Sequence, residues 1–184
     1  MALESVRKLL SERHLCLKSD WLQQCFEKES GRNSRKAERE ITEGVYGQFL
    51  CTDLADSSAA CFPDRLCFFH RQVWAGVYVL QLLEIVNATQ AQFEGKNKEA
   101  QGPTASRLLR LLLTDGVHII YGMEYSRISG LSVSTPVGCK IMVKDVELRH
   151  GYLLLTPDPT IADVDINDDD IVDVNPSQAQ VQAQ

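Results

Sequence analysis

Residues 107–121, RLLRLLLTDGVHIIY, decide the fold of this chain. Two runs of branched aliphatics flank Asp115-Gly116, and an Asp-Gly pair between apolar runs is a strong short-range signal for a β-hairpin. The run before the turn predicts a strand over about Leu108–Leu113, and the run after it a strand over Val117–Tyr121. Upstream, Val77, Val79 and Gln81 alternate with Tyr78, Leu80 and Leu82, the two-residue period of a further strand. Downstream, Lys140–Glu147 predicts a fourth strand, Arg149-His150-Gly151 a turn, and Tyr152–Thr156 a fifth. Residues 128–136 make a longer connection between the third and fourth strands. Five antiparallel strands in about eighty residues with that connection suit a small closed Greek-key barrel of OB type. LLRLLL does not alternate, as expected of a barrel covered on one side.

The cover is legible at the N-terminus. Leu3, Val6, Leu9 and Leu10 recur at helical spacing among Glu4, Arg7 and Lys8. Ser19 is placed to cap a second helix carrying Trp21, Leu22, Cys25 and Phe26, with Gly31 as its stop. A third helix is expected from near Ser34, with Ala37, Ile41, Val45 and Phe49 on one stripe, ending near Thr52-Asp53. Gly44 and Gly47 weaken it by about 1 kcal/mol each relative to Ala. The expected class is α+β. A three-helix bundle (residues 1–55) packs on a five-stranded OB-type barrel (76–160) through a linker (56–75), and an acidic, disordered tail (161–184) follows. The polar stretch 88–106, with Gly95, Gly102 and Pro103, reads as a loop inserted between the first two strands.

The chain has 184 residues, 44% of them hydrophobic and 24% charged, an ordinary globular composition. Its apolar runs fall far short of the roughly 20 residues of a membrane helix, and MALESVRKLLSER carries charges where a secretory signal would be apolar. A soluble, intracellular protein is expected. The net charge of −6 is unevenly spread. Seven aspartates fall within Asp158–Asp173, and no Lys or Arg follows Arg149; the remainder carries 19 basic against 18 acidic residues. That near-neutral body predicts weak nucleic-acid binding, or none. The basic cluster Arg32, Arg35, Lys36 and Arg39 has Glu38 and Glu40 beside it, as a charged helix face would.

No catalytic pattern emerges. There is no nucleophile elbow, phosphate-binding glycine loop or H-E-x-x-H. The six cysteines contain no C-x-x-C pair, and Cys61, Cys67 and His70 lack a fourth ligand, so no metal or cofactor is expected. His14, His70, His118 and His150 are scattered and read as surface or packing residues. In the tail, Asp163, Asp165 and Asn167 open like an EF-hand loop, but Asp168 occupies the position that needs glycine and Val174 the one that needs glutamate. Ile171, Val172 and Val174, preceded by Asp168-Asp169-Asp170, instead resemble a SUMO-interacting motif, in which an extended aliphatic segment adds to a partner's sheet and carboxylates face its basic rim.

Several motifs in order carry a family resemblance over about residues 6 to 160. RLLRLLLTDGVHIIYGMEY, STPVGCKIMV and GYLLLTP, with WLQQC at residues 21–25 and VYGQFLCTDL at residues 45–54, resemble the N-terminal OB domain of the RecQ-mediated genome instability protein 1 family. The resemblance implies a non-enzymatic subunit of a nuclear complex with a RecQ-family helicase and topoisomerase III. The barrel would bind the topoisomerase, and the complex would dissolve double Holliday junctions without crossover. It also implies that the inserted loop reaches into the topoisomerase gate; carried onto this chain, the loop-specific residues are Phe93, Lys96, Asn97 and Lys98.

Overall fold

A computed structural model describes residues 2–32, 37–91, 107–157 and 171–173 of the chain. Helices α1 (Ala2–Glu12), α2 (Ser19–Arg32) and α3 (Glu38–Cys51) pack together through Val6, Leu10, Leu22, Cys25, Ile41, Val45 and Phe49. Trp21 meets Phe49 edge-on at 6.5 Å. Helix α3 starts at Glu38 with Ala37 as its N-cap, so Ala37 precedes the helix; Ser34 lies outside the described residues. A fourth helical turn, α4 (Leu54–Ser57), leaves no period in the sequence because four residues hold only one turn. Asp53 caps it, its carboxylate accepting the Ala55 N–H at 2.8 Å.

The barrel strands are β1 (Gln72–Asn87), β2 (Leu109–Thr114), β3 (Ile119–Glu124), β4 (Lys140–Arg149) and β5 (Tyr152–Leu155). The pairs β1–β2, β2–β3, β1–β4 and β4–β5 are antiparallel, and β3–β5 closes the ring in parallel. The expectation of all-antiparallel pairing is therefore corrected. An odd ring of strands cannot alternate direction all the way round, so one pair must run parallel.

Strand β1 extends beyond the expected Val77–Leu82 at both ends, starting inside the stretch expected as linker. Register shifts between Trp74 and Val77 and between Leu82 and Glu84 break its alternation into short phases. At the first shift Gly76 has φ +115° and donates its N–H to Asp145 Oδ1 at 2.8 Å. Such bulges bend a strand, here letting one long strand pair with both β2 and β4. The β2–β3 turn is longer than a two-residue hairpin. Asp115 Oδ1 accepts the N–H groups of Val117 (2.9 Å) and His118 (2.7 Å), withholding both from the ladder, so β3 starts at Ile119 rather than Val117.

The barrel core joins Leu80, Leu82, Leu111, Leu113, Ile120, Ile141, Leu148 and Leu153 to Ile128 and Leu131, which the long connection contributes. Full burial of each such side chain contributes about 1.5–3 kcal/mol. Val79 on β1 instead packs against the helical cluster.

A buried polar node locks helices to barrel. Lys140, 2% exposed, donates from Nζ to Thr52 O (2.8 Å) and Gln81 Oε1 (2.9 Å). The same Gln81 oxygen accepts Leu54 N–H at 2.9 Å, and Gln81 Nε2 donates to Asp53 Oδ2 at 3.3 Å. Burial pulls the Lys140 ammonium below its ordinary pKa, and the nearby Asp53 carboxylate partly offsets this. Lys140→Met fills the space but leaves Thr52 O unpaired. It is expected to cost about 1–3 kcal/mol, read as a fall in Tm of roughly 2–4 °C per kcal/mol for a chain of this size.

Candidate partner-binding surface

The root of the inserted loop is an assembled structure. Strand β1 ends at Asn87, whose Oδ1 accepts from Thr89 Oγ1 (2.7 Å), Thr89 N–H (3.3 Å) and Leu108 N–H (3.2 Å). The Ala88 N–H donates to Leu108 O at 2.8 Å, joining the outgoing and returning chains. A single helical turn, α5 (Ala88–Ala91), leads into the insert. Where the chain returns, the Arg107 guanidinium forms a two-pronged pair with Glu124 on β3, its Nε donating to Oε2 at 3.0 Å and its Nη2 to Oε1. The same Nη2 reaches Ile128 O at 2.9 Å, while Glu124 accepts Ile128 N–H at 2.9 Å. Burial alone would raise the Glu124 pKa; Arg107 and the amides of Ile128 and Leu109 outweigh it and hold the carboxyl below its usual range.

Beside this root lies an outward apolar strip. Register places Leu112 opposite Tyr121, and Tyr121 opposite Tyr152. The two tyrosine rings sit 5.6 Å apart, and Ile119 and Val117 continue the exposed apolar surface at 57% and 58% exposure. A cavity of about 140 Å³, lined by Glu84, Val86, Arg110, Leu111, Leu112 and Tyr121, adjoins it. Val86 and Arg110 are cross-strand partners one step from the Asn87–Leu109 pair, so the cavity abuts the loop root. Contiguous exposed apolar area with aromatics at its centre is what protein interfaces use.

Phe93, Lys96, Asn97 and Lys98 lie outside the described residues, as do Val174, Arg35 and Lys36. Arg39 is exposed on α3. Ile171 and Val172 belong to a short strand β6 (Ile171–Asp173) paired in parallel with Lys140–Met142, on the part of β4 that β5 leaves free. Those three residues are strand within the stretch 161–184 expected as an acidic tail. The loop-root residues Asn87, Arg107 and Glu124 were missed by sequence reasoning; a lone arginine before LLRLLL and a carboxylate at an inward position of β3 were their only local signals.

One cluster has the outline of a catalytic triad. His118 sits between Asp115 (Nδ1–Oδ2, 3.1 Å) and Asp64 (Nε2–Oδ1, 2.9 Å), and these hydrogen bonds raise its pKa. Cys61 donates its backbone N–H to the same Asp115 at 3.0 Å. Burial, and then the Asp115 charge, push the Cys61 thiol far up and the Cys16 thiol up as well, which disfavours the thiolate at both. Asp115 also takes the Phe62 N–H, and the cluster ties the segment before β1 to the β2–β3 turn. Among the described residues no group of three His, Cys, Asp or Glu is arranged to hold a metal ion, and no helix is long and apolar enough to cross a membrane.

A closed five-stranded barrel with a helical cap and an expanded first connection defines an OB-fold domain. The chain belongs to the family described as RMI1, N-terminal OB-fold domain, whose model matches residues 20–162. It is 33% identical over 156 residues to a RecQ-mediated genome instability protein 1 of Oryza sativa subsp. japonica, covering 85% of this chain and 19% of the relative. The Mus musculus protein of the same name is 33% identical over 172 residues, covering 82% and 28%. A Tudor domain-containing protein 3 of Xenopus tropicalis is 34% identical over 113 residues, covering 61% and 15%. The chain thus spans less than a third of the length of these relatives.

Proposed function

We propose that this chain is a non-enzymatic scaffold subunit of a nuclear RecQ helicase–topoisomerase III assembly. Its barrel docks on the topoisomerase, and its insert biases the enzyme's gate, promoting double Holliday junction dissolution and genome stability. The observation that carries the reading is the loop root: a buried ion pair and an asparagine clamp both ends of the insert beside an exposed apolar strip. Family membership and the disfavoured thiolates around His118 support a scaffold over a catalyst.

Docking is tested by size-exclusion chromatography with the cognate topoisomerase III. Apolar contact predicts co-elution that survives about 0.5 M salt, where exposed charge pairs are screened within a few ångströms; separate elution at low salt rejects the docking. The insert is tested apart. Replacing Ala91–Ala100 with a short Gly-Ser link leaves Asn87, Arg107 and Glu124 in place. The Tm should hold within a few degrees while double-junction dissolution falls several-fold. Undiminished dissolution rejects the gating role.

A further inference from the structure

Strand β5 is too short to cover β4. It pairs with Glu147, Leu148 and Arg149 only. The chain leaves the ladder at Leu155, whose carbonyl takes the Tyr125 N–H at 2.9 Å, and Pro157 just beyond has no N–H to offer. The opposite edge of β4 is occupied: Lys140, Ile141 and Met142 face Gln81, Leu80 and Val79 of β1. On its outer side β4 is therefore left by β5 with a row of free main-chain groups along residues 140–146. Such an edge is a template to which an extended segment can add.

Among the described residues one segment does so. Ile171, Val172 and Asp173 of β6 run parallel to Lys140, Ile141 and Met142. From Val146, beside which β5 ends, to Lys140 is about 20 Å of strand. Residues 156–170 tether the two points, and a chain of about 15 residues averages roughly 20 Å end to end. Span and tether match, which is the condition for the highest effective concentration of a tethered segment, in the millimolar range. The same three residues begin the aliphatic run that follows Asp168-Asp169-Asp170, the pattern of a segment that binds by strand addition. Alternate residues of a strand direct their main-chain groups to opposite edges, so β6 keeps too few for a second ladder while it lies on β4.

We propose that the outer edge of β4 is a strand-acceptor site held by the chain's own tail, and that this contact withholds Ile171–Asp173 from partners that bind by strand addition. The partner that fits is a protein offering a sheet edge with a basic rim, which the three aspartates before Ile171 would face. Such a partner captures only the undocked fraction of chains. With a tether at about 1 mM and an intrinsic Kd of about 0.1 mM, roughly one chain in ten is undocked, and apparent affinity falls about tenfold. The exchange is reciprocal, because capture of the tail uncovers the β4 edge. The contact shares no residue with the loop root or the apolar strip, so it can open and close while the barrel is docked.

The acceptor is tested by NMR titration of the whole chain with a synthetic peptide of residues 165–176. Val172→Pro with Asp173→Pro removes two successive N–H groups, so one is lost from the β4 ladder whichever edge it faces. The variant should keep its Tm within a few degrees and exchange the outer amides of residues 140–142 faster. It should take the peptide with a Kd of about 0.1 mM, and the wild type should bind it about tenfold more weakly. Equal binding by the two, or none by the variant, overturns the acceptor site. Masking of the tail is tested separately with SUMO as the probe. The free peptide should bind SUMO about tenfold more tightly than the whole chain does; equal affinities, or binding by neither, overturn the masking. Sedimentation of the wild type supplies the last arm. A dimer whose dilution speeds exchange at residues 140–142 would place each tail on a second copy and overturn the contact within one chain.

Discussion

Gly116→Ala is expected to cost about 3 kcal/mol and to lower Tm by roughly 6–12 °C. The residue has φ +98°, a backbone state that an L side chain resists, and a Cβ built there would lie 2.3 Å from Leu54 O and 2.7 Å from Leu54 C. The conformational part alone costs about 1–2 kcal/mol, and forcing extra volume into packed surroundings adds about 1–3 kcal/mol. Retreat is blocked from both sides. Leu54 is fully buried, its N–H is held by Gln81 and its carbonyl accepts Ser58 N–H at 2.8 Å. On the other side, the turn is fixed by the five N–H donors around Asp115, two of them before β1. Gly138→Ala separates the two contributions. Its φ is +95° but nothing lies within 4 Å of the added carbon, so it should show only the conformational cost. Equal thermal shifts for the two variants, measured by circular dichroism, would mean that α4 does not press on the β2–β3 turn.

That contact also marks where sequence reading stops. The Asp115-Gly116 pair announces a turn, but nothing near it says that the turn must admit the backbone of a distant helix. The same limit governs the barrel. The hairpin around residues 109–124 is legible because its apolar runs and turn are local. The full length of β1 is not, because the bulge at Gly76 and the shift after Leu82 reset its alternation. Closure by parallel β3 and β5 follows from counting strands rather than from any residue. The inserted loop is legible as a lapse in apolar residues, yet its clamp is not. Arg107 and Glu124 meet only because β2 and β3 pair, and Tyr121 and Tyr152 form one surface only because β3 and β5 do. Single residues with partners far along the chain leave no local period to read.

Arg107→Ala carries the second large effect and joins stability to the proposed function. The Glu124 side chain is 2% exposed and Arg107's is 25% exposed, so truncation strands a buried carboxylate with only the amides of Ile128 and Leu109. Breaking a buried pair from one side costs about 3–5 kcal/mol, and partial access of water to Arg107 favours the lower figure. The pH dependence gives the loss a signature. In the wild type the Glu124 pKa is depressed, so its contribution is fully present above the unfolded carboxyl value and is lost as pH falls through the lower folded one. Without Arg107 the burial effect is opposed only by the amides of Ile128 and Leu109, so the folded pKa rises. The variant then gains relative stability as acid protonates the stranded group. Chemical denaturation at pH 7 and about pH 4.5 should therefore show the gap between the two proteins narrowing, with changes at Asp115 cancelling because both carry it. Arg107→Met with Glu124→Leu, which removes both charges, should recover much of the loss. A gap that stays constant across that pH range would mean that Glu124 carries no buried charge and that the loop root is held some other way. Should the gap narrow, Arg107→Ala becomes the probe that loosens the insert while the apolar strip stays intact. Topoisomerase binding should then persist in a variant whose effect on strand passage has fallen.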